Sequence, residues 1–236
     1  MNMHGLGLMY YDWTYILFML PCLILSLVCS AKVRSNFSKY SKVYNSRRMT
    51  GAQAAQQVLT AHGVTGVRIE PVSGNLTDHF DPRTNVIRLS ESVYNAQTVA
   101  AVGVACHEAG HAVQHAEGYT PNKIRSAILP VANIGSRLSW IILVIGMLLP
   151  VQFNFVITIG IVLFSASVLF TLVTLPVEFN ASSRALKTIQ STGMLNPDEY
   201  TGAKKVLSAA AMTYVAAAAT SIMQLLRLLL IFNRRR

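Results

Sequence analysis

The stretch "VACHEAGHAVQHAEGY", residues 104–119, decides the fold because it joins a helix-forming pattern to a rare concentration of ionisable side chains. Small residues separate three histidines and two glutamates, and Gly118 closes the run. At about 100° per residue, His107 and His111 stand one turn apart on the same face of a helix. The pattern therefore predicts a helix over residues 98–117.

The chain around this helix is apolar. It has 236 residues, of which 52% are hydrophobic and 13% are charged, whereas a soluble domain carries about 25% charged residues. Runs of about 20 apolar residues are typical of bilayer spans, and such runs cover residues 14–31, 127–149 and 152–175. They predict an integral membrane protein, with a short uncharged turn outside the membrane between the last two spans.

Residues 209–236 leave two alternatives open. A fourth transmembrane helix would carry Arg234, Arg235 and Arg236 outside, against the rule that positive charge stays inside. An interfacial or hairpin helix would keep the arginines inside but would leave much apolar surface to bury. We favour the fourth span. The chain then has four transmembrane helices, and it has three under the other alternative.

The net charge of +10 comes largely from residues beside the apolar runs. Six basic residues follow the first run: Lys32, Arg34, Lys39, Lys42, Arg47 and Arg48. Because such residues orient a span, we expect the N-terminus outside and the segment from Lys32 in the cytoplasm. No aromatic platform accompanies these charges, so nucleic acid is not an expected partner. Residues 1–13 contain no lysine or arginine, so the first run is interpreted as an uncleaved anchor.

Arg137 and the three cysteines need separate explanations. Arg137 must reach the cytoplasmic face or pair inside the bundle, because an isolated arginine in hydrocarbon costs about 3 kcal/mol or more. The three cysteines are Cys22, Cys29 and Cys106, and they lack the spacing of a thiolate metal site. Packing is their expected role.

Residues 32–126 hold most of the polar side chains. The segment "MTGAQAAQQVLTAHG" is typical of a helix with Thr50 as its N-cap and Gly63 just past its end. "VTGVRIEPV" and "TNVIRLS" alternate as strands do, and the turn-rich "SGNLTDHFDPR" separates them. The second strand is either an exposed edge that takes an extended substrate or an ordinary interior strand.

The spacing of His107 and His111 suits one Zn²⁺ ion, because two imidazoles one helical turn apart can bind the same metal. Glu108 stands beside the first histidine, where it could take a proton from a water whose pKa the metal lowers. The alternative is an amphipathic helix with solvated histidine and glutamate side chains. The wealth of Ala, Gly and Val, which allows close packing, favours the metal site.

Catalytic zinc needs a third protein ligand and one open position. His115 lies nearly on the same helix face, but three ligands from one straight helix would reach the metal in a row. The pattern His-Glu-x-x-His-x-x-Gly-x-x-His also fails, because Gln114 stands at its glycine position and Glu117 at its third histidine position. His115 is therefore interpreted as a helix-face residue.

A carboxylate from a second helix is a better third ligand. The acidic residues beyond Gly118 are Glu178, Asp198 and Glu199. The last two follow Pro197 and are typical of acids in the first turn of a helix. Glu178 follows the second of the paired spans, so two crossings return it to the side of the histidines. Ser182 and Ala185 share its helix face and would let two helices approach closely; the alternative is an acid at the membrane interface.

Three segments together resemble the YugP-type family of bacterial membrane zinc metallopeptidases: "VACHEAGHAVQHAEGY", "LPVEFNASSRAL" and "LTDHFDPRTNVIRLSESVYN". The resemblance covers essentially the whole chain, and a more distant one links it to the HtpX-type and prenyl-protein endopeptidases. It implies one Zn²⁺ per chain, with Glu108 as the catalytic base. The ligands that it implies are His107, His111 and Glu178. The distant relatives usually carry Asp four residues after the ligand Glu, where this chain has Ser182.

The expected fold is a mainly α-helical integral membrane protein with a small α+β zincin-like domain, in which the HExxH helix meets a second, glutamate-bearing helix. Its expected parts are an anchor (1–31), a cytoplasmic catalytic region (32–126), two transmembrane helices (127–175), the region of the Glu ligand (176–208) and a C-terminal apolar helix (209–236).

Three further residues are weaker candidates for the site. His79 could stabilise an oxyanion or orient a ligand, although a turn built by Asp and Pro explains most of "TDHFDPRT". Arg184 could polarise a carbonyl, yet on a regular helix it points about 120° from Glu178, so structural pairing is the alternative. Ser182 would support a zinc-binding histidine.

A membrane-embedded zinc endopeptidase on the cytoplasmic face of a bacterial inner membrane is the function that these features predict. Its partners would be the lipid bilayer and a protein or peptide substrate, and no feature indicates a regulatory partner or a homo-oligomer. Two alternatives stay open: a membrane adaptor or regulatory protein with a structural zinc site and no turnover, and a hydrolase of another class of substrate. Glu108 favours an enzyme, because a structural site needs no base.

Overall fold

Long helices dominate the computed structural model, which describes residues 13–235. The helices are α1 (Trp13–Tyr40), α2 (Gly51–Ala61), α3 (Glu91–Tyr94), α4 (Val99–Ala116), α5 (Thr120–Leu148), α6 (Asn154–Ser191) and α7 (Pro197–Arg235). The strands are β1 (Arg68–Val72), β2 (His79–Asp81) and β3 (Val86–Ser90), and a 3-10 turn (Val151–Phe153) precedes α6. The predicted fold class, mainly helical with a small mixed α+β part, is confirmed. Expectations for residues 1–12 and Arg236 lie outside the described residues.

Four helices are long and apolar enough to cross a membrane: Thr14–Tyr40, Thr120–Leu148, Val151–Ser191 and Pro197–Asn233. Each extends beyond the apolar run that predicted it. The helix α6, for example, continues without a break through Pro176 to Ser191. The C-terminal segment is likewise part of one continuous helix, α7, and not a hairpin. Its crossing of the bilayer stays a prediction.

The sheet has the strand order β1-β3-β2, with β1 parallel and β2 antiparallel to β3. Ile87 at the centre of β3 pairs with Ile69 on one side and with Phe80 on the other. The segment "NVIRLS" is therefore an interior strand and not an exposed edge. The strand β2 lies in the stretch that the sequence indicates as turn-rich. It was not predicted, because three residues are too few to show an alternating pattern.

The chain divides into two compact units, which are described separately. The first comprises residues 1–28, 128–171 and 216–236 and is purely helical in its described part. Leu143, Ile157, Phe164 and Leu228 form part of its buried core. Arg137 is exposed here and forms no ion pair with another described residue, so the expected alternative of pairing inside the bundle is not seen.

The second unit comprises residues 29–127 and 172–215, and α4 lies at its centre. Thr98 caps the start of α4 by accepting a hydrogen bond from the Ala101 N–H, and Gly118 follows its end with φ +66°. The small residues of α4 let neighbouring helices approach: a Cβ on Gly110 would lie 2.8 Å from the Ala181 carbonyl oxygen. The backbones of α4 and α6 therefore touch at this point.

The three cysteines are free and buried, as packing residues should be. Cys106 contacts the Met194 sulfur at 3.9 Å inside the second unit. Burial raises the pKa of the Cys106 thiol well above its usual value, because a thiolate would lose its hydration there. Cys106 is therefore a neutral packing group beside His107.

Candidate metal centre

Three side chains from two helices converge on one point. They are His107, His111 and Glu178, and we call them the cluster. His107 and His111 of α4 bring their Nε2 atoms to 3.2 Å from each other. The Glu178 Oε2 atom, from α6, lies 3.4 Å from the first of these nitrogens and 3.6 Å from the second. In a tetrahedral zinc site with bonds of about 2.0–2.1 Å, neighbouring ligand atoms stand about 3.3 Å apart. The three separations thus match the edges of a zinc coordination tetrahedron.

One oxygen of the buried Glu178 carboxylate lacks a hydrogen-bond partner in the described part of the chain, which suits a cation. Its side chain is 2% exposed, and Oε2 has no hydrogen-bond partner among the described residues. A buried carboxylate oxygen without a partner is costly, and a metal ion is one of the few groups that offset the cost. The donor set of two imidazoles and one carboxylate is the one that catalytic zinc uses. The residues present therefore fit the metal.

The electrostatics of the cluster favour positive charge. Burial acts to lower the pKa of His111, but the adjacent carboxylate of Glu178, the charge of Glu108 and the hydrogen bond to Gln114 outweigh it, so the pKa is raised. Arg125 lies 3.7 Å from the other carboxylate oxygen, Glu178 Oε1, and offsets part of this negative charge. The same carboxylates would attract a metal cation.

Hydrogen bonds at the Nδ1 atoms orient both imidazoles. The His107 Nδ1 atom lies 3.1 Å from the Ser182 hydroxyl, and the His111 Nδ1 atom lies 3.0 Å from Gln114 Oε1. The Gln114 amide donates its two N–H groups to the Val177 carbonyl at 2.8 Å and to Asn180 Oδ1 at 2.9 Å. Since both donors are used, Oε1 accepts a hydrogen bond from the His111 Nδ1–H. This leaves a lone pair on His111 Nε2, the atom that faces the cluster.

Gln114 should accordingly control metal affinity without binding the metal. Replacement by leucine removes the acceptor that fixes the His111 tautomer, and we expect zinc affinity to fall about 10–100-fold, as is usual for such supporting contacts. Competition with a chelator of known affinity measures this. The same replacement at Gln56, an exposed residue of α2, is the matched control. A Gln114→Leu protein that melts earlier but holds zinc as tightly would contradict the assignment.

The predicted alternatives for the third ligand lie outside the cluster. Glu117 forms an ion pair with Arg184 at 2.7 Å. His115 packs against the ring of Phe80, with 5.7 Å between ring centroids. Arg184 also donates to Asn180 at 2.7 Å, so it pairs structurally and supports the residue that holds Gln114.

The other candidates are placed as follows. His79 is exposed, and its Nδ1 atom lies 2.8 Å from the Thr77 carbonyl oxygen. Glu199 is buried and accepts hydrogen bonds from the backbone N–H groups of Ser46 and Asn196, so it fastens the start of α7. Asp198 is exposed. None of these three side chains belongs to the cluster or lines the cavity beside it.

A cavity of about 160 Å³ opens beside the cluster. Glu108 lines it together with His107 and Glu178, and makes no hydrogen bond or ion pair with another described residue. Tyr214 of α7 lines the same cavity. A free carboxylate and a phenol hydroxyl thus flank the space in which a reacting group would lie.

Sequence reasoning missed Gln114 as a supporting residue, and missed Arg125 and Tyr214 altogether. Gln114 attracted notice only because it breaks the third-histidine pattern. Tyr214 stands in the alanine-rich "AAAMTYVAAAAT", and a single large polar side chain among alanines is the signal that could have found it. Arg125 has no local pattern around it.

Comparison with known proteins gives two matches. The model of the family described as "Putative neutral zinc metallopeptidase" matches residues 15–233, which include α4 and α6. The chain is also similar to "Putative membrane protease YugP" of Bacillus subtilis (strain 168), with 50% identity over 218 residues, or 92% of this chain and 96% of that protein. No solved structure matches the chain.

Proposed function

This chain belongs to the family of neutral zinc metallopeptidases, and from that premise we propose that it is a membrane-bound zinc endopeptidase. The observation that carries the proposal is the convergence of His107, His111 and Glu178 beside a cavity that also holds Glu108. A structural zinc site is closed by four protein ligands, whereas a catalytic one keeps a position open. Three ligands next to a cavity therefore favour turnover over the alternative of a structural zinc site in a membrane adaptor.

The proposed mechanism assigns the proton transfers to Glu108. Zinc held by His107, His111 and Glu178 would act as a Lewis acid that activates water and polarises the scissile carbonyl. Glu108 accepts the proton of the attacking water and delivers it to the leaving amine. The Tyr214 hydroxyl donates a hydrogen bond to the oxygen on which negative charge develops. Gln114 and Ser182 hold the two imidazoles in the orientation that the reaction requires.

We further propose that the site faces the cytoplasm of a bacterial cell. The six basic residues that follow the first apolar run support this orientation through the positive-inside rule. The substrate would be a protein or peptide, with one zinc ion per chain. Hydrolysis of another class of carbonyl compound would use the same residues, and the cleavage products decide between the two.

Metal removal tests the proposal directly. The purified protein in detergent should cleave a mixture of unstructured peptides, lose this activity when a chelator removes the metal, and regain it with one equivalent of Zn²⁺. Mg²⁺ should not restore activity, because it prefers an all-oxygen ligand set. Cleavage that persists in protein shown by elemental analysis to be metal-free would exclude the mechanism.

A further inference from the structure

We propose that the cavity beside the metal cluster is a binding site for one uncharged aliphatic side chain of the substrate, next to the bond that is cut. The inference rests on the proposed function and goes beyond it by naming the class of substrate: polypeptide segments with an aliphatic residue at a fixed position from the scissile bond. We call this cavity the side-chain pocket.

Most of the residues that line the side-chain pocket are apolar. They include Val33 and Phe37 of α1 and Val206, Leu207, Ala210 and Ala211 of α7. Leu207, Ala210 and Tyr214 are three and four residues apart, so they line one stripe of α7. The phenol of Tyr214 thus marks the polar end of the pocket and the alanine and leucine side chains its apolar end. A side chain placed there would leave water for an apolar surface.

The charges around the pocket exclude ionised side chains. No lysine or arginine is among its described lining residues, whereas Glu108, Glu178 and Asp78 are, so an acidic side chain would be repelled. A basic side chain that paired with Glu108 would occupy the carboxylate that must accept the proton of the attacking water. The Asp78 carboxylate is already engaged, because it accepts hydrogen bonds from the Ser90 N–H at 2.7 Å and from the Ser90 hydroxyl. Burying an unpaired charge is costly. The pocket therefore selects neutral groups.

The size of the pocket limits the side chain further. Its volume is about 160 Å³, close to the roughly 150 Å³ of a protein cavity that accommodates benzene. Part of this space must hold the reacting water and the scissile carbonyl. The remainder suits a branched aliphatic group such as that of valine, leucine or isoleucine. Ala210 matters most here, because each carbon added to it would take volume from the substrate.

Cleavage-site profiling of the zinc-loaded protein on a peptide mixture tests the inference. Aliphatic residues should be enriched at one position beside the cut, and Asp, Glu, Lys and Arg depleted there. Ala210→Leu should shift the preference toward Ala and Gly and lower the ratio of kcat/KM values for leucine and alanine peptides about tenfold or more, within the range typical of hydrophobic pockets. Ser208→Leu, at an exposed position of the same helix, should leave the profile unchanged.

A second variant and a binding measurement complete the test. Val206→Ala should widen the profile toward larger side chains. This second variant keeps the inference testable if Ala210→Leu does not fold. Zinc-loaded Glu108→Gln protein should bind a leucine-containing peptide more tightly than its lysine and aspartate counterparts, a readout independent of turnover. Cleavage by the wild type without any preference beside the cut, or equal binding of the three peptides, overturns the inference. Absence of all cleavage by the zinc-loaded wild type overturns instead the proposed function.

Discussion

Replacing Glu108 by glutamine should lower the rate of peptide cleavage by about 10²–10⁴-fold, the usual contribution of a general base, while the protein keeps its zinc. Glutamine has nearly the same shape but cannot accept the proton of the attacking water. Glu108 is outside the three-residue metal-binding group and forms no hydrogen bond or ion pair with another described residue. Its replacement should therefore cost neither fold nor metal.

The measurement compares kcat/KM, zinc content and melting temperature of the variant with those of the wild type. Glu91→Gln makes the same chemical change at an exposed site and should leave all three values unchanged. A Glu108→Gln protein that cleaves peptides at the wild-type rate would remove Glu108 from the mechanism and revive the alternative of a metal site without a catalytic base. Loss of zinc together with activity would instead make Glu108 a ligand.

Replacing Glu178 by alanine should remove zinc from the protein and, with it, all activity. The loss of a ligand should weaken zinc binding by more than the about 10–100-fold expected for a supporting residue. The change also leaves Arg125 without its ion-pair partner. Elemental analysis after dialysis and a chelator titration measure the effect, and Glu178→Gln, which keeps the size but not the charge, should behave in the same way.

The control for this prediction is Asp198→Ala, which removes one of the other two acids beyond Gly118 and should leave zinc content unchanged. Undiminished zinc in Glu178→Ala would transfer the third ligand to His115 or Glu117, against the positions of those side chains beside Phe80 and Arg184. If Glu178→Ala does not fold, its zinc content says nothing about the ligand. The more conservative Glu178→Gln is therefore measured in parallel.

Local signals made part of the fold predictable. Thr98 and Gly118 stand at the two ends of α4, and Thr50 and Gly63 flank α2, because capping residues act on the turn next to them. The convergence of Glu178 with the histidines was predictable because the two predicted spans between them return the chain to the same side of the membrane. A count of crossings is coarse but independent of side-chain detail.

The features that escaped prediction depend on tertiary contacts. The strand β2 exists because β3 offers it a partner, and its three residues carry no periodicity of their own. The long helix α6 does not end with its apolar run, because its last turns are buried in the second unit through Ala185 and Ile189. Tyr214 reaches the cavity only through the placement of α7, which is far from α4 in sequence.

The contact at Gly110 bears on which ions the site can admit. The main chains of α4 and α6 already touch there, and both helices carry the proposed ligands within about one turn of that contact. The proposed metal site is therefore framed by two packed helices and not by loops. An ion that needs longer bonds than zinc would have to push the donor atoms apart against this contact. We therefore expect backbone packing, together with ligand chemistry, to contribute to discrimination among divalent metals.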